Sequence, residues 1–498
     1  MNTPHARADV IVVGAGPVGL LLAGELARAG AGVLVLEKRR SPSTASRAST
    51  LHARTMEILD SRGLLADLGD APREPRGHFG GIPLDLTLPA PHPGQYKVPQ
   101  TRTEAVLEEW ALALGADIRC GHELTALTDH GHHVTATAAG RTGELHLSAD
   151  YLVACDGQDS TVRHLTGAAF PGQDATRELL RADVADIRIP NRRFERLDGG
   201  LAIAARRGDG VTRVMAHAFG APARPRTEDA RFTEITQVWK QVTGEDISHG
   251  TPLWVNSFND ACRQLTHYRH GRILFAGDAA HQQMPIGGQA LNLGLQDAFN
   301  LGWKLAAVAR GTAPDTLLDT YHRERHTAGA RTLANIRAQA LMLLGDPGVE
   351  PLRAVLGELI TLDEVRTHLA GMISGLDVHY PDPTGGDAGD QGHPLQGRRL
   401  PETELNLHTH PTTTTTTALL REHTGGLLLD LRDNPAPGLL PAGYTGAVHP
   451  VTARPTRPGP LDAHTTWLIR PDGHVAHAGD GRGDGLHRAL ATWFGPPR

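Results

Sequence analysis

The run Val10-Ile11-Val12-Val13, followed at once by Gly14-Ala15-Gly16-Pro17-Val18-Gly19, constrains this chain more than any other segment. Four consecutive β-branched or aliphatic residues suit a strand buried on both faces, as in the middle of a parallel sheet. The G-x-G-x-x-G then falls between that strand and a helix. Gly14 permits the tight turn, Gly16 lets a pyrophosphate approach the backbone, and Gly19 lets helix and sheet pack closely. Pro17 suits the first helical turn. The helix N-terminus offers free N–H groups and partial positive charge to phosphates. A second strand, Val33-Leu34-Val35-Leu36, ends in Glu37, where a carboxylate can accept the hydroxyls of an adenosine ribose. These parts, in order within about 30 residues, predict a dinucleotide site. NAD and FAD share the unit, so it does not choose between them.

The same stretch is apolar enough to resemble an anchor, but Glu25, Arg28 and six glycines interrupt it and no basic segment precedes it. A buried βαβ unit is expected, with no signal peptide and no membrane span. The 498 residues suggest about three domains. With 49 Lys+Arg against 55 Asp+Glu, the net charge of −6 argues against a nucleic-acid surface. The three cysteines, Cys120, Cys155 and Cys262, show no metal-ligand spacing, and a reducing cytoplasm fits them. His130, His132 and His133, and also His408 and His410, sit in polar turns without cysteine partners and read as solvated loop histidines, so no metal site is expected. No G-x-S-x-G elbow, Walker loop or H-E-x-x-H occurs.

Two later segments narrow the cofactor. Tyr151-Leu152-Val153-Ala154-Cys155-Asp156-Gly157 reads as a strand ending in Asp-Gly, with Ser160 and Arg163 beyond it. Arg272 to His281 is a second strand ending in Gly277-Asp278, followed by Pro285-Ile286-Gly287-Gly288-Gln289-Ala290-Leu291-Asn292 and a helical stretch from Gln296 to Val308. At these residues the chain resembles the group A FAD-dependent aromatic hydroxylases, built like p-hydroxybenzoate hydroxylase. Within that group it is most similar to hydroxylases of aromatic polyketides, particularly angucyclines. Ser46-Arg47, Leu51 to Glu57, His78-Phe79-Gly80-Gly81, Val98-Pro99-Gln100, Asn300 to Leu305 and Tyr321 to Arg325 extend the likeness along the chain.

The resemblance implies an α/β fold with three parts: a Rossmann-like FAD domain, a mixed-sheet substrate domain, and a C-terminal thioredoxin-like domain without Cys-x-x-Cys. FAD would be held by Gly14, Gly16, Gly19, Glu37, Lys38, Arg47, Gln100, Asp156, Arg163, Asp278, Gly287, Leu291 and Asn292. Asp278 would bond the ribityl chain, with Arg47 and Gln100 along the pyrophosphate and ribityl part. Pro285 and Gly288 would bring backbone to the reacting edge of the flavin, with no side-chain triad. The helix beginning near Ala290 would turn its positive end to the reduced ring. Ala290 stands where many relatives have glycine, so a methyl there would crowd that edge or shift the flavin's mobility.

The implied reaction is hydroxylation of a polycyclic phenolic substrate, an angucyclinone-type polyketide, with NADPH and O2 through a C4a-hydroperoxyflavin. NADPH would be a transient co-substrate, because no second glycine fingerprint follows a strand. A rifamycin-type antibiotic monooxygenase and a non-oxygenating FAD dehydrogenase or flavin-binding scaffold remain as alternatives. A small-molecule enzyme of the cytoplasm is expected, with a homodimer as one possible assembly.

The FAD domain is expected in two pieces, 1–177 and 263–380, around a substrate domain at 178–262, to which 79–99 contributes. Alternation in Ala182 to Ile189, Gly200 to Ala205 and Thr212 to Ala218 predicts antiparallel strands over the flavin. Nearness to the motifs nominates His78, Phe79, Gln282, Met284 and Gln289 for the pocket. The unit 398–498 follows a polar Gly/Pro-rich stretch. Its strands are expected at Leu427 to Leu431 and Thr465 to Arg470, a hairpin turn at Pro471 to His474, and a closing helix at Gly485 to Phe494. The run Thr412 to Thr417 reads as a loop.

Overall fold

A computed structural model describes residues 6–42, 48–141, 143–381, 393–408, 412–433, 438–481 and 484–497. The strand Ala6–Val13 lies inside an eight-stranded sheet, parallel to Val33–Glu37 on one side and to Gly143–Ala154 on the other. Val12 pairs with both Val35 and Val153. Enclosed on all sides, Val10, Ile11 and Val12 are fully buried, which is why that run carries no alternation. Ile273–Phe275 adds a further parallel strand beside Gly143–Ala154, so both acid motifs leave the sheet at the same end. The helix Pro17–Arg28 packs against the helix Gln289–Ala309, which joins the first and last parts of this sheet's sequence into one core.

A five-stranded antiparallel sheet runs in the order Arg192–Leu197, Gly200–Arg206, Thr212–Ala218, Glu178–Ala185, Thr251–Asn259. Strand alternation divides its residues. Leu180, Ala182, Val214 and Ala216 pack on one face with Trp239 of the helix Phe232–Thr243. Leu179, Ile203, Met215 and Phe258 face the other way, toward Ile286 and Leu343. The predicted strand Ala182 to Ile189 is found at Glu178–Ala185, because pairing with Thr251–Asn259 begins four residues earlier. Of the excursion, Gln95–Lys97 pairs with Thr50–His52 and Arg73–Glu74, while Arg76–Phe79 and Ile82–Asp85 form a separate hairpin.

The C-terminal sheet has six strands in the order Thr413–Thr415, Glu404–Leu407, Val448–Pro455, Gly426–Asp430, Thr466–Ile469, Val475–Gly479. Gly426–Asp430 is parallel to Val448–Pro455 and antiparallel to Thr466–Ile469, and the helix Asp484–Phe494 closes the unit in thioredoxin-like fashion. The threonine run is a correction to the predicted loop. Thr413–Thr415 is an edge strand, and Thr416 begins the helix Thr416–Glu422. β-branched residues suit an extended edge, and Thr415 caps the helix by accepting from Ala418 N at 3.1 Å.

This unit docks on the FAD-side helices through buried charge. Arg470 donates to both oxygens of Glu324, at 2.6 and 3.0 Å, and Lys304 donates to Glu324 at 2.7 Å. Burial alone opposes ionisation, but Arg470 and Lys304 hold the Glu324 carboxyl down to about 2. Among the described residues, no helix is long and apolar enough to cross a membrane.

Candidate active site

The three fingerprint glycines have separable jobs. A Cβ on Gly14 (φ +103°) would lie 2.4 Å from the Cys155 carbonyl oxygen, and one on Gly19 would lie 2.0 Å from that of Gly14. A Cβ on Gly16 would meet nothing within 4 Å. Gly14 and Gly19 are therefore demanded by packing, whereas Gly16 faces open space at the N-terminus of Pro17–Arg28, a helix end without a side-chain cap. Glu37 accepts from Ala15 N at 2.8 Å and from Arg39 N and Nε at 2.8 and 2.9 Å. Burial works against its ionisation, but the Arg39 and Ala15 donors hold its carboxyl below the usual range. Lys38 points to solvent. Arg39, which sequence reading passed over, is the cation beside the acid. Arg47 lies outside the described residues. Gln100 accepts from Ala48 N at 3.1 Å and donates to Glu104 at 2.8 Å, fixing the backbone at the start of Gln100–Ala113.

The two acid motifs are cross-linked. Arg163 donates to the carbonyl of Ala279 at 3.1 Å and to that of Gln158, and its guanidinium lies 4.1 Å from the Phe170 ring centre. Asp156 accepts from Val162 N at 3.1 Å through Oδ2, while its buried Oδ1 has no partner among the described residues. Burial raises the pKa of that carboxyl. Asp278 is exposed on the short helical turn Gly277–Ala279. Behind it, Asp297 accepts from Gly277 N at 3.1 Å, from His281 Nε2 at 2.7 Å and from Arg325 Nε at 2.7 Å. Arg325 continues to the Tyr380 hydroxyl at 2.9 Å. This fully buried brace was not found from sequence. The sequence shows only a single acid, Asp297, within this largely apolar helix, and nothing in it names the partners.

The glycine pair adopts φ of +64° at Gly287 and +70° at Gly288, and Gln289–Ala309 begins directly after it without a side-chain cap. A Cβ on Gly288 would sit 2.9 Å from that of Thr50. Asn292 holds the pair in place. It donates to the carbonyls of Gly288 (2.7 Å) and Thr50 (2.9 Å) and accepts from His52 N (2.8 Å) and Thr55 Oγ1 (2.6 Å). The Asn292 side chain is thus committed to the protein. His52 is fully buried and donates from Nε2 to Gly287 O at 2.7 Å; burial pushes its pKa down to about 4, so the ring is neutral.

Pro285, Gly287, Gly288, Ala290 and Leu291 open onto a cavity of about 440 Å³. Its remaining wall includes His78 and Lys97 and, from the five-stranded sheet, Leu179, Arg181, Arg193, Phe194, Met215 and Phe258. Of the five residues nominated for the pocket, only His78 lines it. Phe79 is packed with Leu84 and Ile360 in a separate core. Met284 is buried behind the wall with Leu201 and Ile336. Gln282 pairs with Arg263 in a short strand, and Gln289 accepts from Asn335 at 3.0 Å. Phe79 misses the cavity because neighbours on a strand face opposite ways, and Met284 and Gln289 because their side chains turn into the protein beside a loop whose backbone is what reaches the cavity.

The open glycine, the uncapped helix N-termini, the orphaned Asp156 oxygen and the bare glycine pair at the cavity fit FAD, which needs donors for its phosphates, acceptors for its hydroxyls and close backbone at its ring. Residues 7–336 match the family described as FAD binding domain, and residues 393–497 match the aromatic-ring hydroxylase C-terminal family. The chain belongs to the FAD-dependent aromatic-ring hydroxylases. Among this hydroxylase's relatives, the 12-dehydrotetracycline 5-monooxygenase/anhydrotetracycline 6-monooxygenase of Streptomyces rimosus is 41% identical over 99% of both chains. The rifampicin monooxygenase of Streptomyces venezuelae is 40% identical over 98% of both. The solved structure of CabE, an aromatic hydroxylase from angucycline biosynthesis, superposes with a TM-score of 0.93 at 47% identity, covering 99% of this hydroxylase and 100% of that chain.

Proposed function

We propose that this hydroxylase inserts one atom of O2 into a phenolic ring of a polycyclic aromatic polyketide, with NADPH as electron donor. The observation that carries the reading is the continuity of one cavity from the Gly287-Gly288 loop to the apolar face of the five-stranded sheet. In this reading Gly14, Gly16, Gly19, Glu37, Lys38, Arg47 and Gln100 serve the adenosine and pyrophosphate half of FAD. Asp156, Arg163, Asp278, Gly287, Leu291 and Asn292 serve the rest. Bound FAD supplies the electron transfer and oxygen chemistry.

The chain's own residues then orient and enclose. Gly287 and Gly288 admit backbone to the flavin edge, and Asn292 and His52 hold that backbone still. Pro285 and Gly288 offer main-chain groups at the reacting edge. Leu179, Met215 and Phe258 form an apolar floor that excludes water from the reacting centre. The substrate unit is taken as 178–262, and the protein as a cytoplasmic homodimer, which sedimentation of the FAD-loaded chain checks.

Stopped-flow absorbance with anthraquinone and angucyclinone substrates tests the reaction. Substrate-stimulated NADPH oxidation, and a product that carries one oxygen from labelled O2, are expected. Reduction without label in any product would move the protein to the non-oxygenating flavin scaffolds. Turnover of rifampicin alone would move it to the antibiotic monooxygenases.

A further inference from the structure

The cavity wall breaks a rule of strand geometry. Consecutive residues on a strand face opposite sides, yet Arg193 and Phe194 both line the cavity. The pairing of Arg192–Leu197 with Gly200–Arg206 shifts register between Arg192 and Glu195, and Phe194 has φ of +50°. An aromatic residue at positive φ is a strained conformation that persists only where its surroundings enforce it, and such residues cluster at functional sites. Gly81 (φ +85°) lies beside it: a Cβ there would meet Leu343 at 2.9 Å and touch the Phe194 Cβ at 3.4 Å.

The bulge delivers a ring and a cation to one place. The Phe194 ring lies 4.0 Å from that of His78, centre to centre. Arg193 donates to the carbonyls of Arg76 (3.1 Å) and Gly77 (3.4 Å), next to His78 in the chain. Lys97 donates to Thr50 Oγ1 at 2.9 Å. These hydrogen-bond acceptors are neutral oxygens, in contrast to Arg213 on the same wall, whose guanidinium is ion-paired with Asp183; the acid nearest Lys97 is Glu74, which lines the same cavity and acts on Lys97 through space without an ion pair. Lys97 is exposed and part of the cavity wall, and the partial enclosure there lowers its pKa. Gly81 N donates to His78 Nδ1 at 3.2 Å, so the neutral ring carries its proton on Nε2. Burial first, then Arg193 and Lys97, push the His78 pKa down to about 4, which keeps it a donor rather than a third cation.

We infer that this hydroxylase takes its aromatic substrate as an anion, with a flat ring against Phe194, an ionised oxygen between Lys97 and Arg193, and the His78 Nε2–H as the neutral donor. The inference rests on the reading of the cavity as the substrate site and adds the charge of the substrate and the residues that select it.

Equilibrium binding to the FAD-loaded enzyme, followed by flavin absorbance, tests it without turnover. The probes are anthraquinone-2-carboxylate and the uncharged anthraquinone-2-carboxamide. The carboxylate is expected to bind about tenfold more tightly, and Arg193→Gln and Lys97→Gln to erase most of that preference by weakening the carboxylate far more than the carboxamide. Phe194→Gly is expected to weaken both probes alike; relief of the positive φ offsets only part of what the lost packing against Ile286 and Leu343 costs in Tm. Equal affinity for both probes, or a preference that survives both charge substitutions, overturns the anionic assignment. Unchanged affinity for both probes in Phe194→Gly overturns the role of the bulge. Failure to oxygenate any phenol would strike the proposed reaction and leave these binding results standing.

Discussion

His52 and Gly287 are joined by a 2.7 Å hydrogen bond from a neutral, fully buried imidazole to a carbonyl of the glycine pair. The same residue's backbone N–H is taken by Asn292, so the strand Thr50–His52 and the loop before Gln289–Ala309 move as one piece. His52→Ala is expected to leave a folded protein that loses FAD several-fold faster on gel filtration, and His52→Gln to recover part of the loss. Undiminished flavin content in the alanine variant would show that the loop holds its shape unaided.

The same histidine makes stability depend on pH. Its pKa falls from 6.5 to about 4 on folding, as does that of His78. The unfolded chain therefore takes up protons that the folded one refuses, so the contribution is complete above pH 6.5 and is lost as pH falls toward 4. Calorimetric Tm of the apoprotein should drop across that window, and more shallowly in His52→Gln. Parallel slopes in the two proteins would contradict the assignment.

The glycine fingerprint can be divided experimentally. Gly19→Ala places a methyl against the Gly14 carbonyl and is expected to cost about 1–3 kcal/mol, read as a lower midpoint in urea. Gly16→Ala meets no neighbour in the protein and should shift that midpoint by less than about 1 kcal/mol, the loss expected when alanine replaces glycine at a helix cap. Its effect should appear as weaker FAD binding. Equal destabilisation by the two would refute the separation of roles.

Glu324→Gln leaves Lys304 buried without its carboxylate and Arg470 with Asp472, to which its Nε donates at 3.1 Å, as its one remaining acid, and is expected to cost about 3–5 kcal/mol. In the parent protein, the folded carboxyl near 2 against an ordinary 4.5 means that this contribution is present above pH 4.5 and fades as pH falls toward 2. Limited proteolysis should release the C-terminal unit from the variant at neutral pH and from the parent only in acid.

What was legible in the sequence followed from local chemistry. The buried run Val10 to Val13, the glycines and the acid at the end of Val33–Glu37 depend on neighbours within one βαβ unit, and all three stand where pattern places them. The strands Gly200–Arg206 and Thr212–Ala218 were equally plain from alternation. The pocket was not. Facing depends on register, and a single bulge at Phe194 reverses it. The buried brace of Asp297, His281 and Arg325 joins residues 16 and 28 apart through space and leaves no periodic trace. Lys38 and Arg39 show the same limit at one-residue scale.

The helix Leu317–Leu344 carries adjacent residues with different obligations. Glu324 answers to the C-terminal unit and Arg325 to the flavin block, and farther along Gln339 accepts from Gly80 N at 3.1 Å beside the cavity hairpin. A chain assembled from two relatives, with the last hundred or so residues exchanged, would therefore inherit a mismatched joint unless Arg470 and Asp472 travelled with a matching Glu324 and Lys304. Modularity in this architecture stops at that seam, and the thiol-free tail is better regarded as part of the scaffold that keeps the cavity in register than as an exchangeable appendage.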